Sequence, residues 1–169
     1  MTPVLVLVGP PGSGKTTVGR LVAQRRKVAF RDTDRDVEVA AGRSVSDIFV
    51  DDGEPAFRAL EAEAVATALA DHDGVLAVGG GAVLDSGTRE RLRSHRVVFL
   101  DVGLTDAVDR VGFAKSRPLL VLNPRAELKR MLDERRPIYL EVADATVITD
   151  GRAAADVADE IAALLERPS

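Results

Sequence analysis

Gly9-Pro10-Pro11-Gly12-Ser13-Gly14-Lys15-Thr16 fits the pattern G-x-x-x-x-G-K-[ST] without a mismatch, after a buried apolar run and before a helical one. Glycines let such a loop curl so that successive N–H groups point inward at phosphate oxygens, and the following helix adds its positive end. Lys15 supplies a point charge for the β- and γ-phosphates, and the Thr16 hydroxyl is placed to ligate Mg²⁺. An ordinary glycine turn is the bland alternative, and eight matching positions in the right context speak against it. The chain therefore binds a nucleoside triphosphate. Kinases, GTPases, motor ATPases and nucleotide-gated switches all use this loop, so the acceptor residues must decide between them.

Asp32 and Asp34 stand two residues apart at the end of an expected strand, where an extended chain would turn both carboxylates to the same side. One could hold a metal-bound water while the other orients or deprotonates an attacking hydroxyl. The competing reading makes one of them a helix cap. Arg58 has Glu54 at i−4 and Glu61 at i+3, the spacing of a surface ion pair. It is also the spacing by which Glu61 could aim a guanidinium at a substrate carboxylate. Gly79-Gly80-Gly81 carry a large entropy cost, which is usually offset by close approach of backbone to a ligand, with exposed N–H groups as donors. Arg110, Arg117, Arg125, Arg130, Arg135 and Arg136 crowd into one stretch of an otherwise acidic chain, as a solvated face or as anion-binding groups.

The elements that must position these residues alternate between strand-like and helix-like periods. Strands are expected at 4–8, 28–30, 75–78, 97–102 and 145–149. Helices are expected at 15–25, 35–41, 45–50, 54–70, 88–94, 105–111, 125–136 and 153–166. Ser44 and Ser86 read as N-caps, and Pro55 sits in a first turn, where its missing N–H costs nothing. The stretch 112–124 has little regular pattern and is the best lid candidate. Such alternation implies a three-layer, doubly wound α/β domain in which helices cover both faces of a parallel five-stranded sheet. A single domain over 1–169 is expected, with an acceptor-binding segment at about 32–61 and a mobile lid at about 112–124.

Bulk properties set outer limits. The chain has 169 residues, 46% hydrophobic and 30% charged, about the length of one well-filled domain. A net charge of −4 argues against a sequence-independent nucleic-acid binder. No apolar run is long enough to span a membrane, so no membrane partner is expected. With no cysteine, disulfides and thiolate metal sites are excluded, and a cytoplasmic location is compatible. His72 and His95 stand in polar surroundings and read as solvated. Asp101 ends an apolar strand and reads as a cap rather than a metal ligand.

Taken together, the phosphate loop, Asp32-Thr33-Asp34, Gly53-Glu54 with Phe57-Arg58 and Glu61, Gly79-Gly80-Gly81-Ala82-Val83, Arg117-Pro118-Leu119-Leu120 and Arg135-Arg136-Pro137-Ile138-Tyr139 resemble the shikimate kinases in order and spacing over nearly the whole chain. The resemblance implies a fold of the nucleoside monophosphate kinase type and transfer of the ATP γ-phosphoryl group to the 3-hydroxyl of shikimate. It implies that Asp34 meets the shikimate hydroxyls as base, with Lys15 and Arg117 assisting the transfer. Arg58 and Arg135 would clamp the carboxylate, helped by the backbone of Gly79, Gly80 and Gly81. Gly12, Ser13, Gly14, Lys15, Thr16 and Thr17 would hold the ATP phosphates, Arg117 would reach them from the lid, and Arg110 and Arg152 would flank the adenine. One Mg²⁺ would bind Thr16 directly and Asp32 through water, since a hydroxyl, phosphate oxygens and waters suit a hard octahedral ion.

The family pattern R-x-P-[LI]-Y selects Arg135 over Arg136, which points about 100° away around a helix. The implied partners are ATP and shikimate, and the implied state is a monomer. Against a kinase for gluconate or a nucleoside monophosphate, the arginine clamp and the triple glycine suit a compact hydroxy-acid, and a switch-type nucleotide-binding module would leave Asp34, Arg58 and Arg135 without a task.

Overall fold

Val6 and Val8 contact one hydrophobic cluster while Leu5 and Leu7 contact another, so the first strand is buried on both faces. The computed structural model describes residues 2–111 and 123–168. Most of the expected lid, Arg117 included, lies outside them. Strands β1 (Leu5–Val8), β2 (Phe30–Asp32), β3 (Val75–Ala77), β4 (Val97–Asp101) and β5 (Ala145–Ile148) form one parallel sheet in the order β2-β3-β1-β4-β5. Helices α1 (Lys15–Arg26) and α8 (Ala154–Leu165) cover one face through Val18, Val22, Val157 and Ile161. Helices α4 (Glu54–Asp71), α5 (Ser86–Leu92) and α7 (Pro124–Val142) cover the other through Val65, Leu69, Leu92, Tyr139 and Val142. The expected five-stranded, doubly wound arrangement is therefore the one found. Each large aliphatic side chain buried this way contributes about 1.5–3 kcal/mol.

The crossovers locate the site. The chain leaves β1 for α1 on one face, whereas it leaves the adjacent β3 for α5 on the other. Two neighbouring strands whose connections part in this way open a crevice at their carboxyl ends. The phosphate loop follows β1, and the three glycines follow β3. Helices α2 (Thr33–Ala41) and α3 (Val45–Asp52) close onto α4 through Val37, Ile48 and Phe57 beside that crevice. Helix α6 (Leu104–Val111) packs on α7 through Val102, Ala107, Leu128 and Leu132.

Several local expectations are corrected. β2 begins at Phe30, and helix α2 begins at Thr33, so Asp34 lies in a helical first turn rather than in extended chain. Asp32 caps that helix, its carboxylate accepting from the Asp34 N–H at 2.9 Å. The cap of α5 is Asp85, which accepts from the Thr88 N–H at 2.8 Å, and Ser86 is already helical. Ser44 does cap α3, accepting from the Asp47 N–H at 3.1 Å. Helix α7 does not stop at Arg136 but continues through Pro137 to Val142. Losing one helical hydrogen bond at Pro137 is offset by burial of Tyr139 and Val142 in the core one turn later. His72 is buried, its Nε2 3.1 Å from the Val75 carbonyl oxygen, and burial holds the half-buried His95 below the ordinary histidine range.

Candidate active site

The phosphate loop depends on glycine where the backbone is left-handed: φ is 79° at Gly12 and 94° at Gly14. Gly14 is the cap residue of α1 and offers no side chain, which leaves that role to a ligand. The Lys15 ammonium donates to the carbonyl oxygens of Gly9 and Pro10 at 2.7 and 3.1 Å, so it lies curled over the loop. The Ser13 hydroxyl is fully buried and finds no hydrogen-bond partner among the described residues. Thr16 donates to the Asp32 carboxylate at 3.3 Å, while Thr17 is exposed one position further along α1. Asp32 thus uses one oxygen to cap α2 and turns the other toward the loop.

The three glycines are explained by close approach, and their neighbours are side chains of the protein. A Cβ at Gly79 would lie 2.5 Å from Glu61 Oε2 and 2.6 Å from Asp34 Oδ1. One at Gly81 would overlap the Arg58 guanidinium, and one at Gly80 would stand 3.1 Å from Pro11 Cδ in the phosphate loop. The turn is therefore wedged between the phosphate loop and the charged groups of α2 and α4. Its N–H groups are not all open donors, as the sequence suggested. The Gly79 N–H donates to the buried Thr33 Oγ1 at 3.1 Å and is taken up within the protein.

Arg58 is held as its spacing predicts, donating to Glu61 at 2.8 Å and to Glu54 at 3.3 Å. Its guanidinium also lies 5.3 Å from the Phe57 ring centroid and 5.9 Å from that of Phe49. Those rings are tilted together 4.7 Å apart. They give the cleft an apolar wall next to its cations.

Arg135 is 8% exposed, and Tyr139 beside it is 1% exposed. Glu61, 2% exposed, has its carboxyl raised above the ordinary range, first by burial and further by Asp34, against the lowering pull of Arg58 and Arg135. Burial likewise pushes the Tyr139 phenol up to about 12. The cleft thus gathers Asp34, Glu61 and Arg58 around one glycine turn, with Arg135 near enough to act on Glu61. Acid groups and guanidinium groups can there hold a small hydroxy-acid at its hydroxyl and its carboxylate.

The remaining expected residues are placed as follows. Arg110 donates to the Gly12 carbonyl at 3.2 Å and to the Thr149 carbonyl at 2.8 Å, tying the loop after β5 to the phosphate loop. Arg152 is turned back on its own segment, 2.9 Å from the Ile148 carbonyl and 3.1 Å from Glu160. Asp101 accepts from Arg136 at 2.7 Å, which gives both residues a structural task. Among the described residues no cluster of three His, Cys, Asp or Glu forms a protein-only metal cage. Thr16 and Asp32 still offer hard oxygen donors at the loop, the chemistry of an ion held mainly by nucleotide phosphates and water.

Sequence reasoning gave no role to Thr33, Thr149 or Tyr139. A signal existed for the last. Tyr139 stands at i+4 from Arg135 and therefore shares its helix face.

The family model described as "Shikimate kinase" matches residues 11–166. A shikimate kinase of Salinispora arenicola is 62% identical over 98% of this chain and 99% of its own length. One of Streptomyces avermitilis is 55% identical over 97% of this chain and 96% of its own. Among solved structures, a shikimate kinase of Acinetobacter baumannii in complex with shikimate superposes with a TM-score of 0.93 at 38% identity, covering 98% of this chain and 93% of that one.

Proposed function

We propose a division of labour within a chain that belongs to the shikimate kinase family. The reaction moves the γ-phosphoryl group of ATP onto the 3-hydroxyl of shikimate, giving shikimate 3-phosphate and ADP, a step of aromatic amino acid biosynthesis. The observation that carries the residue roles is the closeness of Asp34 and Arg58 to the glycine turn 79–81 beside the phosphate loop, with Arg135 acting on the same buried Glu61 that holds Arg58.

Arg58 and Arg135 bind the shikimate carboxylate, a bidentate task suited to guanidinium. With that end fixed, the Gly80 and Gly81 backbone and Asp34 hold the hydroxyl end. Asp34 takes the proton of the 3-hydroxyl as its oxygen bonds to the γ-phosphorus. The bond from that phosphorus to the bridging oxygen breaks, and ADP departs with the electron pair. Gly12, Ser13, Gly14 and Thr17 cradle the phosphates. Lys15 leaves the Gly9 and Pro10 carbonyls for phosphate oxygens, which are stronger, charged acceptors.

Thr16 would hold Mg²⁺ directly and Asp32 would do so through water, and the ion would supply charge neutralisation at the phosphates. Arg110 and Arg152 flank the adenine. Arg110 is already anchored beside the loop at Gly12, whereas Arg152 must leave Glu160 to reach a base. Arg117 acts from the lid at about 112–124 on the transferring group. The chain works as one domain, with an acceptor segment at about 32–61, as a cytoplasmic monomer, and no cysteine calls for an oxidising compartment.

ADP release with ATP and Mg²⁺ tests the reading, using shikimate, gluconate, AMP or no acceptor. Turnover should require shikimate. Equal turnover without an acceptor would contradict it.

A further inference from the structure

Tyr139 is the chain's single tyrosine, and its hydroxyl donates to the Gly80 carbonyl at 2.6 Å. It lies one helical turn beyond Arg135 on the same face of α7, both side chains are buried, and the Arg135 charge is close enough to pull the phenol pKa down against the raising effect of burial. A phenol can donate one hydrogen bond and accept another at once. At the other end of the turn, the Gly79 N–H is fixed by Thr33, the neighbour of Asp34 in the first turn of α2. Hydrogen bonds thus link Thr33 with Gly79 and Gly80 with Tyr139, with Arg135 one turn away on the same helix face. They lie between the residue assigned to the shikimate hydroxyl and one assigned to the carboxylate.

The ring alone has a sufficient structural role. It stacks on Phe99 with centroids 4.9 Å apart, deep in the core. The hydroxyl is what needs a further account. Arg58 is closed on by Glu54 and Glu61, and Arg136 by Asp101, yet among the described residues no carboxylate forms an ion pair with the buried Arg135. A carboxylate in the place of Tyr139 would orient that guanidinium but also neutralise it. A neutral hydroxyl orients it and leaves its charge for the ligand.

We propose that Tyr139 is a positioning residue for shikimate, its hydroxyl fixing the Arg135 guanidinium against the Gly80 carbonyl so that the carboxylate clamp stands at a set reach from Asp34. The inference rests on the assignment of Arg135 to the shikimate carboxylate. Tyr139→Phe keeps the stacked ring and removes only the hydroxyl.

Steady-state kinetics of Tyr139→Phe, Arg135→Ala and the double variant test it, with thermal stability measured alongside. The KM for shikimate should rise roughly tenfold in Tyr139→Phe, the worth of one hydrogen bond to a charged group. The KM for ATP should stay unchanged, and the double variant should be no worse than Arg135→Ala. The methyl ester of shikimate, which lacks the carboxylate charge, should show no penalty in Tyr139→Phe. An unchanged shikimate KM, an equal rise for both substrates, or full additivity with Arg135→Ala would overturn the inference. If Arg135→Ala itself left the shikimate KM unchanged, the clamp assignment would fail first.

A measurement on the unaltered protein covers the case in which the variant does not fold. With tyrosine labelled at ¹³Cζ the chain gives one resonance, and shikimate should shift it far more than the methyl ester does. A resonance that saturating shikimate leaves in place would equally overturn the proposal.

Discussion

The Arg136 guanidinium donates to the Asp101 carboxylate at 2.7 Å, joining α7 to the end of β4. Its sequence neighbour Arg135 points about 100° away around the helix and is 8% exposed beside Tyr139. Two adjacent arginines thus have separate tasks, and their substitutions should separate as well. Arg135→Ala should raise the KM for shikimate by roughly a hundredfold, since a desolvated guanidinium–carboxylate pair is worth about 2–5 kcal/mol. Arg136→Ala breaks a half-exposed ion pair and should cost about 0–1 kcal/mol of stability, with the shikimate KM unchanged. Kinetics and denaturant titration of both variants check this.

Gly79→Ala should damage the site more than the fold. The added methyl would meet Glu61 Oε2 and Asp34 Oδ1, both ends of flexible side chains that can move aside. Moving them displaces Asp34, the proposed base, and the anchor of Arg58 together. Turnover should fall by about 10² or more, the scale of a lost general base. Circular dichroism and the melting temperature should change little by comparison.

Glu61→Gln should move binding and stability in opposite directions. Burial raises the Glu61 carboxyl in the folded chain above its unfolded value, so between those values the native state binds more protons than the unfolded state. Its contribution is therefore fully present below the unfolded pKa and is lost as pH rises through the raised one. The neutral amide should remove that loss, leaving the variant relatively more stable at pH 7 than at pH 4. The weakened hold on Arg58 should raise the KM for shikimate. Melting curves across pH 4–8, set beside kinetics at pH 7, check both signs.

Most of the sheet was legible because period and punctuation are local. Val4-Leu5-Val6-Leu7-Val8 admits only a buried strand, and the glycine loop after it admits few conformations. Arg58 with Glu54 and Glu61 was legible for the same reason, since a helix fixes the spacing of its own face. What escaped was decided by tertiary contacts. Whether Asp34 is extended or helical turns on Asp32 capping α2, a choice open to either residue in the sequence. The continuation of α7 past Pro137 follows from the burial of Tyr139, which propensity does not report. The crowding that makes the three glycines necessary involves α2, α4 and the phosphate loop, elements from three separate stretches of chain.

The central claim is that Asp34 takes the proton of the acceptor hydroxyl. Steady-state turnover of Asp34→Asn at saturating ATP, Mg²⁺ and shikimate tests it most directly. The amide keeps the size and hydrogen-bonding reach of the side chain but cannot serve as a base. The account predicts a fall in kcat of about 10²–10⁴, with the KM for ATP unchanged. A kcat close to that of the unaltered chain would contradict it.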